Sequence, residues 1–199
     1  MSNRSPLLNV IFQSLNKVSK NILRDFGEIE NLQSSHNSLE QFIIKTENKV
    51  SSSLTYDLTK ARPEWGISLG NKEDFLKDKY YWIVDILNGR FNFLHAIPHF
   101  AISIAVELNK EILCAVILDP IRNEYYFAEK GKGSFQNDRR IRVSNRKTLK
   151  SCVFSLFDEN KFNNKLTTSN YFEKINLLTL KSSSVIRLFG SSALNFAWL

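Results

Sequence analysis

The chain has 199 residues, 43% of them hydrophobic, which is enough to bury a core of about one domain. No run approaches the roughly 18 uninterrupted apolar residues a membrane helix requires, and the start, Met1 to Val10, lacks a signal-peptide core. These features exclude a membrane-spanning helix and point to a cytoplasmic protein. The net charge is +7. Much of the excess falls in Lys130, Lys132, Arg139, Arg140, Arg142, Arg146, Lys147 and Lys150. That stretch reads as a solvated hairpin and loop, or as a surface for phosphate-rich partners such as RNA. No nucleic-acid module accompanies it, and the nearby aromatics do not interleave with the charges in sequence. Cys114 and Cys152 sit in apolar surroundings and read as reduced, buried thiols, and no metal-type Cys/His spacing occurs.

Leu8, Ile11, Leu15, Val18, Ile22, Leu23 and Phe26 recur at helical spacing, with Gly27 as a stop. Asn31 to Glu40 is polar and reads as a loop. Val50, Leu54 and Leu58 mark a second helix ending before Arg62-Pro63. Residues 66–79 read as irregular. Tyr81 to Val84 is a short apolar strand, followed by Asp85 and the Asn88-Gly89 turn. Phe100, Ile102, Ile104 and Val106 alternate, Leu108 to Glu111 forms a hairpin turn, and Ile112 to Leu118 returns. Glu124 to Glu129 and Ser134-Phe135 continue an antiparallel series. Residues 158–170 read as a loop, and Ser192 to Leu199 begins a helix. Sheet with helices on both sides is the expected architecture.

Most of the functional information lies in residues 81–93, Tyr-Trp-Ile-Val-Asp-Ile-Leu-Asn-Gly-Arg-Phe-Asn-Phe. An acid closing a buried strand before a turn is where α/β proteins gather ligands and metals, and it is also how an Asp simply caps a turn. The segment resembles the Asp-Pro-x-Asp-Gly-Thr-x-Asn-Phe motif of the inositol monophosphatase family, which includes bacterial proteins of the extragenic-suppressor type. Asp85 stands at the first Asp, Asn88 at the second and Arg90 at the Thr, while Gly89, Asn92 and Phe93 match. Phe100 to Leu108, Asp119-Pro-Ile-Arg-Asn-Glu, Ala128 to Phe135, Arg139 to Ser144 and Gly190-Ser-Ser-Ala-Leu also resemble family segments, in family order.

The resemblance implies a layered α/β/α/β/α sandwich. The expected organisation is a single truncated domain over residues 1–199, lacking the last C-terminal elements. Residues 1–150 form its N-terminal α+β part, and residues 151–199 begin an incomplete C-terminal part. It also implies Mg2+-dependent hydrolysis of a phosphate monoester, such as an inositol phosphate. Family members hold Mg2+ with a Glu from a Gly-Glu-Glu-Ser-like segment, both motif Asp residues, the intervening backbone carbonyl (here Leu87) and a later Trp-Asp motif. Here Gly70 falls at the Glu position, with Glu73 and Asp74 just beyond. Asn88 is a neutral amide, Arg90 replaces the Thr, and no Trp-Asp follows.

Asp85, Leu87 and Asn88 are therefore read as a vestigial metal site that binds Mg2+ weakly or not at all. Asn88, Gly89, Arg90 and Phe91 are read as the phosphate-binding segment. Arg90 is expected to pair with Glu47 or Asp85, and His95 and His99 as structural. Activity is expected to be weak or lost. The alternative is a non-catalytic remnant or binding protein in transcription antitermination or RNA processing, a role the resemblance attaches to some bacterial relatives. A homodimer is among the expected assemblies, the family commonly being dimeric.

Overall fold

The structure, a computed structural model, describes residues 4–32, 36–70, 75–148, 150, 152–156, 174, 177 and 185–199. Helix α1 (Pro6–Leu32) opens at Ser5, whose Oγ accepts the Leu8 N–H, and Pro6 suits the first turn because it has no N–H to leave unbonded. Helix α2 (His36–Ala61) lies against it. Leu8, Ile11, Leu15, Val18, Ile22 and Ile29 of α1 meet Leu39, Ile43, Val50, Leu54 and Leu58 of α2 in one buried cluster. Buried Asp25 joins the pair, accepting from Thr46 Oγ1 at 2.9 Å and Lys49 Nζ at 3.3 Å. Burial works to raise its pKa, but hydrogen bonds from Arg24, Thr46 and Lys49 outweigh that and hold it below the usual carboxylate value.

Gly27 does not stop α1. A helical Gly costs about 1 kcal/mol relative to Ala, less than the roughly 1.5–3 kcal/mol gained by burying one more large aliphatic side chain, here Ile29. The expected loop Asn31–Glu40 is likewise mostly helical, because burial of Leu39 extends α2 back to His36.

Seven strands follow: β1 (Gly66–Ser68), β2 (Tyr80–Asn88), β3 (Ala101–Leu108), β4 (Glu111–Asp119), β5 (Glu124–Glu129), β6 (Gly133–Gln136) and β7 (Arg139–Ile141). They form one sheet in sequence order, with β1 and β2 parallel and every other pair antiparallel. The segment expected to be irregular thus contains β1. The β3–β4 turn places Asn109 and Lys110 at φ 53° and 66°, the two left-handed residues of a two-residue hairpin.

Alternation sorts the sheet's faces. Trp82, Val84, Ile102, Ile104, Val106, Cys114, Val116 and Leu118 face α1 and α2. The opposite face carries the cross-strand row Asp85, Ser103, Ile117, Tyr126 and Gln136. Short helix α3 (Arg90–Leu94) follows β2. Helix α4 (Ser192–Ala197) contacts β3 and β4 and also β8 (Val153–Leu156), which pairs in parallel with β9 (Val185–Leu188). The order is helix pair, large sheet, α4 and second sheet: a mixed α/β fold. A further helical layer and the loop expected at residues 158–170 fall outside the described residues.

Both cysteines are free. Cys114 is buried, and desolvation pushes its thiol up to about 11. Cys152 is only half-buried, contrary to expectation, and its thiol meets the Thr148 carbonyl at 3.3 Å. A thiol reagent at pH 8 is therefore expected to modify Cys152 in the native protein and Cys114 only after denaturation. Rapid labelling of both in the native state would contradict this.

Candidate functional site

Asp85 lies within β2 rather than at its end, where the pairing with β3 shifts register between Asp85 and Asn88. The irregularity turns Leu87 N–H and the Asn88 side chain back onto the Asp85 carboxylate. Leu87 N donates to Oδ1 at 3.3 Å, and Asn88 Nδ2 donates to Oδ2 at 2.9 Å. Asn88 Oδ1 faces the start of α4, accepting from Ser191 Oγ at 2.8 Å and Ala193 N at 2.9 Å. A backbone N–H can only donate, so Ala193 fixes the amide's orientation and keeps its NH2 on Asp85. Ser191 also caps α4 by accepting the Leu194 N–H.

Gly89 has φ 94°, in the left-handed region, as the N-cap of α3. A Cβ there would lie 3.0 Å from the His99 carbonyl oxygen and 3.3 Å from that of Gly190. Buried Asn92 ties the same three segments together, donating to the carbonyls of His99 and Phe189, each at 2.7 Å. Two motif asparagines thus clamp residues 189–193 onto the β2–α3 turn.

Arg90 turns to α2. Its Nε donates to Glu47 Oε1 at 2.9 Å and its Nη2 to Glu40 Oε2 at 2.8 Å. The Glu40 hydrogen bond, joined by attraction to both carboxylates, outweighs burial and holds the guanidinium's pKa above its ordinary value. Of the two partners expected from sequence, Glu47 is engaged, while Asp85 is served by N–H donors instead. Glu40 was missed because it was read as loop. Glu40 and Glu47 stand two turns apart on one helix face, a spacing visible once α2 is extended.

The parallel register pairs Ser68 with Ile83, so the chain running on to Gly70 heads toward the level of Asp85. Gly70 brings no side chain there; it is exposed, with φ 84°. Glu73 and Asp74 lie outside the described residues. Leu87 is buried, whereas Phe91 is exposed against the exposed His95 ring.

His99 is 7% exposed, packed against Phe189 and Trp198, and its Nε2 has no hydrogen-bond partner. Burial lowers its pKa from 6.5, aided by Arg122. The unfolded chain then holds the extra proton below about pH 6.5 while the folded one does not, so acidification destabilises the fold. Urea midpoints are expected to fall between pH 7.5 and 5.5, and His99→Phe should shrink that fall. An unchanged pH dependence in the variant would contradict the assignment.

The donor set does not suit Mg2+. Asp85 is one carboxylate with both oxygens engaged, and the Asn88 carbonyl oxygen already serves Ser191 and Ala193. Among the described residues, no three His, Cys, Asp or Glu side chains converge. The mixed α/β fold thus places an acid and an amide at the β2–α3 turn and clamps them to the start of α4. The profile of the inositol monophosphatase family matches residues 3–199, and the chain belongs to that family.

An inositol-1-monophosphatase from Rhizobium meliloti is 45% identical over 153 residues, 75% of this chain and 57% of the relative. The chain thus spans little more than half the length of that relative. A protein named Nus factor SuhB from Pseudomonas aeruginosa is 28% identical over 98% of the chain and 73% of its own length. The crystal structure of the extragenic suppressor protein suhB from Bartonella henselae superposes with a TM-score of 0.80 at 33% identity, covering 98% of this chain and 73% of that one.

Proposed function

We propose that this chain is an inositol monophosphatase-family protein in which Mg2+-dependent hydrolysis of a phosphate monoester is weak or lost. The observation that carries this reading is the Asn88 amide. Its NH2 sits on Asp85 where a metal cluster needs bare carboxylate oxygen, and its carbonyl is committed to the start of α4. Two divalent ions about 4 Å apart repel by roughly 17 kcal/mol even at an effective dielectric near 20. One carboxylate does not offset that, and Asn88 and Gly70 add no charge. Asp85, the Leu87 carbonyl and Asn88 are thus the remains of a metal site.

Asn88, Gly89, Arg90 and Phe91 flank the phosphate position in this reading. Arg90 is already neutralised by Glu40 and Glu47, so a phosphate would have to displace carboxylates to gain it. Metal-independent phosphate binding is accordingly weak. We further read residues 1–199 as one domain, with residues 1–150 as its N-terminal part and 151–199 beginning the C-terminal part. No helix among the described residues is long and apolar enough to cross a membrane, and a cytoplasmic setting fits that. The test is release of phosphate from inositol 1-phosphate with and without Mg2+. No metal-dependent release is expected, and turnover in the usual enzyme range of about 1–1000 per second would overturn the proposal.

A second reading is a binding role linked to transcription machinery or RNA processing, with or without homodimer formation. It is favoured by relatives named Nus factor SuhB together with a fold that retains its clamp while the metal site has decayed. Asp85→Asn separates the two: it abolishes any residual hydrolysis and leaves a binding role intact.

A further inference from the structure

Asn88-Gly89 is the one Asn-Gly step in the chain. The Gly89 main-chain nitrogen reaches the Asn88 side-chain amide carbon by closing a five-membered ring, so attack of one on the other is intramolecular. A following residue without a β-carbon leaves that approach open. The fold holds glycine there, since a Cβ at position 89 would lie 3.0 Å from the His99 carbonyl oxygen. The packing that sets the β2–α3 turn therefore also retains the reactive step.

The amide is held as a reaction centre would hold it. Its Oδ1 accepts from Ser191 Oγ at 2.8 Å and from Ala193 N at 2.9 Å. Two donors at that range on one carbonyl oxygen stabilise the negative charge that develops when a nucleophile adds to its carbon. The Ser191 oxygen itself accepts the Leu194 N–H, which leaves its hydrogen for Asn88. The amide nitrogen lies 3.0 Å from Ser192 Oγ and 2.9 Å from Asp85 Oδ2. Asn88 and Gly89 are half-buried.

We propose that Asn88 is a self-deamidation site, whose product carboxylate stands beside Asp85 and completes a pair for a divalent cation. This rests on the reading of Asp85 as a former metal ligand. Gly89 N bonds to Asn88 Cγ, and its proton passes to a solvent base. The Cγ–Nδ2 bond breaks, and ammonia leaves with a proton supplied from water through the Ser192 hydroxyl. Water then adds to Cγ of the cyclic imide, breaks the N–Cγ bond and returns the Gly89 N–H. The sum is asparagine plus water to aspartate plus ammonia, with nothing oxidised or reduced. In a free chain water opens either imide carbonyl, and the greater part becomes isoaspartate. Here Ser191 and Ala193 polarise the Cγ carbonyl, which directs water to it and yields aspartate.

Intact-mass measurement and peptide mapping of the full chain, kept native in warm buffer at pH 8 for days, test this. The expected result is the mass gain of amide-to-acid conversion, placed at Asn88. Aspartate should exceed isoaspartate there, with the reverse ratio in the urea-unfolded chain. Asn88→Gln should keep its mass. Ser191→Ala should slow the native reaction by about tenfold and lower the aspartate share. If that variant misfolds, the native and unfolded product ratios of the wild type still decide. Mn2+ affinity should rise roughly tenfold or more in the aged chain, towards that of Asn88→Asp made directly, and stay unchanged in aged Asp85→Asn.

Three outcomes would overturn the proposal. They are an unmodified Asn88 in the native chain, one product ratio for native and unfolded protein, or an aspartate product with the Mn2+ affinity of fresh protein. Cation binding by fresh protein of unchanged mass would instead count against the proposed loss of metal binding, while mass and product ratio judge the deamidation separately.

Discussion

Replacing Asn88 with Asp is expected to destabilise the protein at neutral pH by about 2–4 kcal/mol in EDTA, and millimolar Mg2+ or Mn2+ is expected to restore much of that loss. The amide nitrogen lies 2.9 Å from Asp85 Oδ2, so the substitution sets two carboxylates at hydrogen-bonding distance. Such a pair must share a proton or a cation. Ser191 and the Ala193 N–H still donate to the other oxygen, so the clamp on α4 survives and the effect isolates the pair. For a chain of this size the melting temperature should fall by roughly 5–10 °C. The pH dependence follows in sign. One carboxyl of the folded variant has its pKa raised, so the folded state holds the extra proton and the variant approaches wild type near pH 4–5. It loses ground as pH rises through the raised value. Equal stability of variant and wild type at pH 7.5 in EDTA would contradict the contact.

Gly89→Ala is expected to lose about 2–4 kcal/mol. A left-handed backbone at φ 94° costs a side-chain-bearing residue roughly 1–2 kcal/mol by itself. The remainder comes from its surroundings, since the new Cβ would lie 3.0 Å from the His99 carbonyl and 3.2 Å from Phe100 Cα. Both belong to backbone that Asn92 holds in place. Gly70→Ala is the internal comparison, with φ 84° but nothing within 4 Å of the added Cβ. It should lose only about 1 kcal/mol, and chemical denaturation of the two variants side by side measures the difference. Equal losses would mean that steric contact at Gly89 is unimportant.

What could be read from the sequence was what depends on nearest neighbours. The alternation from Phe100 to Val106 marks β3, and the polar pair Asn109-Lys110 marks its hairpin, because strand pleat and turn geometry act over a few residues. The helical stripe of α1 was legible for the same reason, but its length was not. Gly27 is a local stop signal that burial of Ile29 overrides. The strand register at Asp85 was missed because the shift there is set by pairing with β3.

In the candidate site, the family segments located Asp85, Asn88 and Gly89, and the Glu47–Arg90 contact was within reach of charge reasoning. The Asn88 contact with Ala193 joins residues 105 apart, and nothing local in either segment announces it. Glu40 went unseen for a simpler reason, a helix start placed too late.

The most direct test of the proposed loss of metal binding is calorimetric titration of the purified protein with Mg2+, and with Mn2+ as its tighter-binding analogue, at pH 7.5. The Asp85–Asn88 arrangement predicts no saturable site below millimolar concentrations, and Asp85→Asn should leave the trace unchanged. A saturable micromolar site that disappears in Asp85→Asn would show that Asn88 releases α4 to admit the cation, contradicting the account.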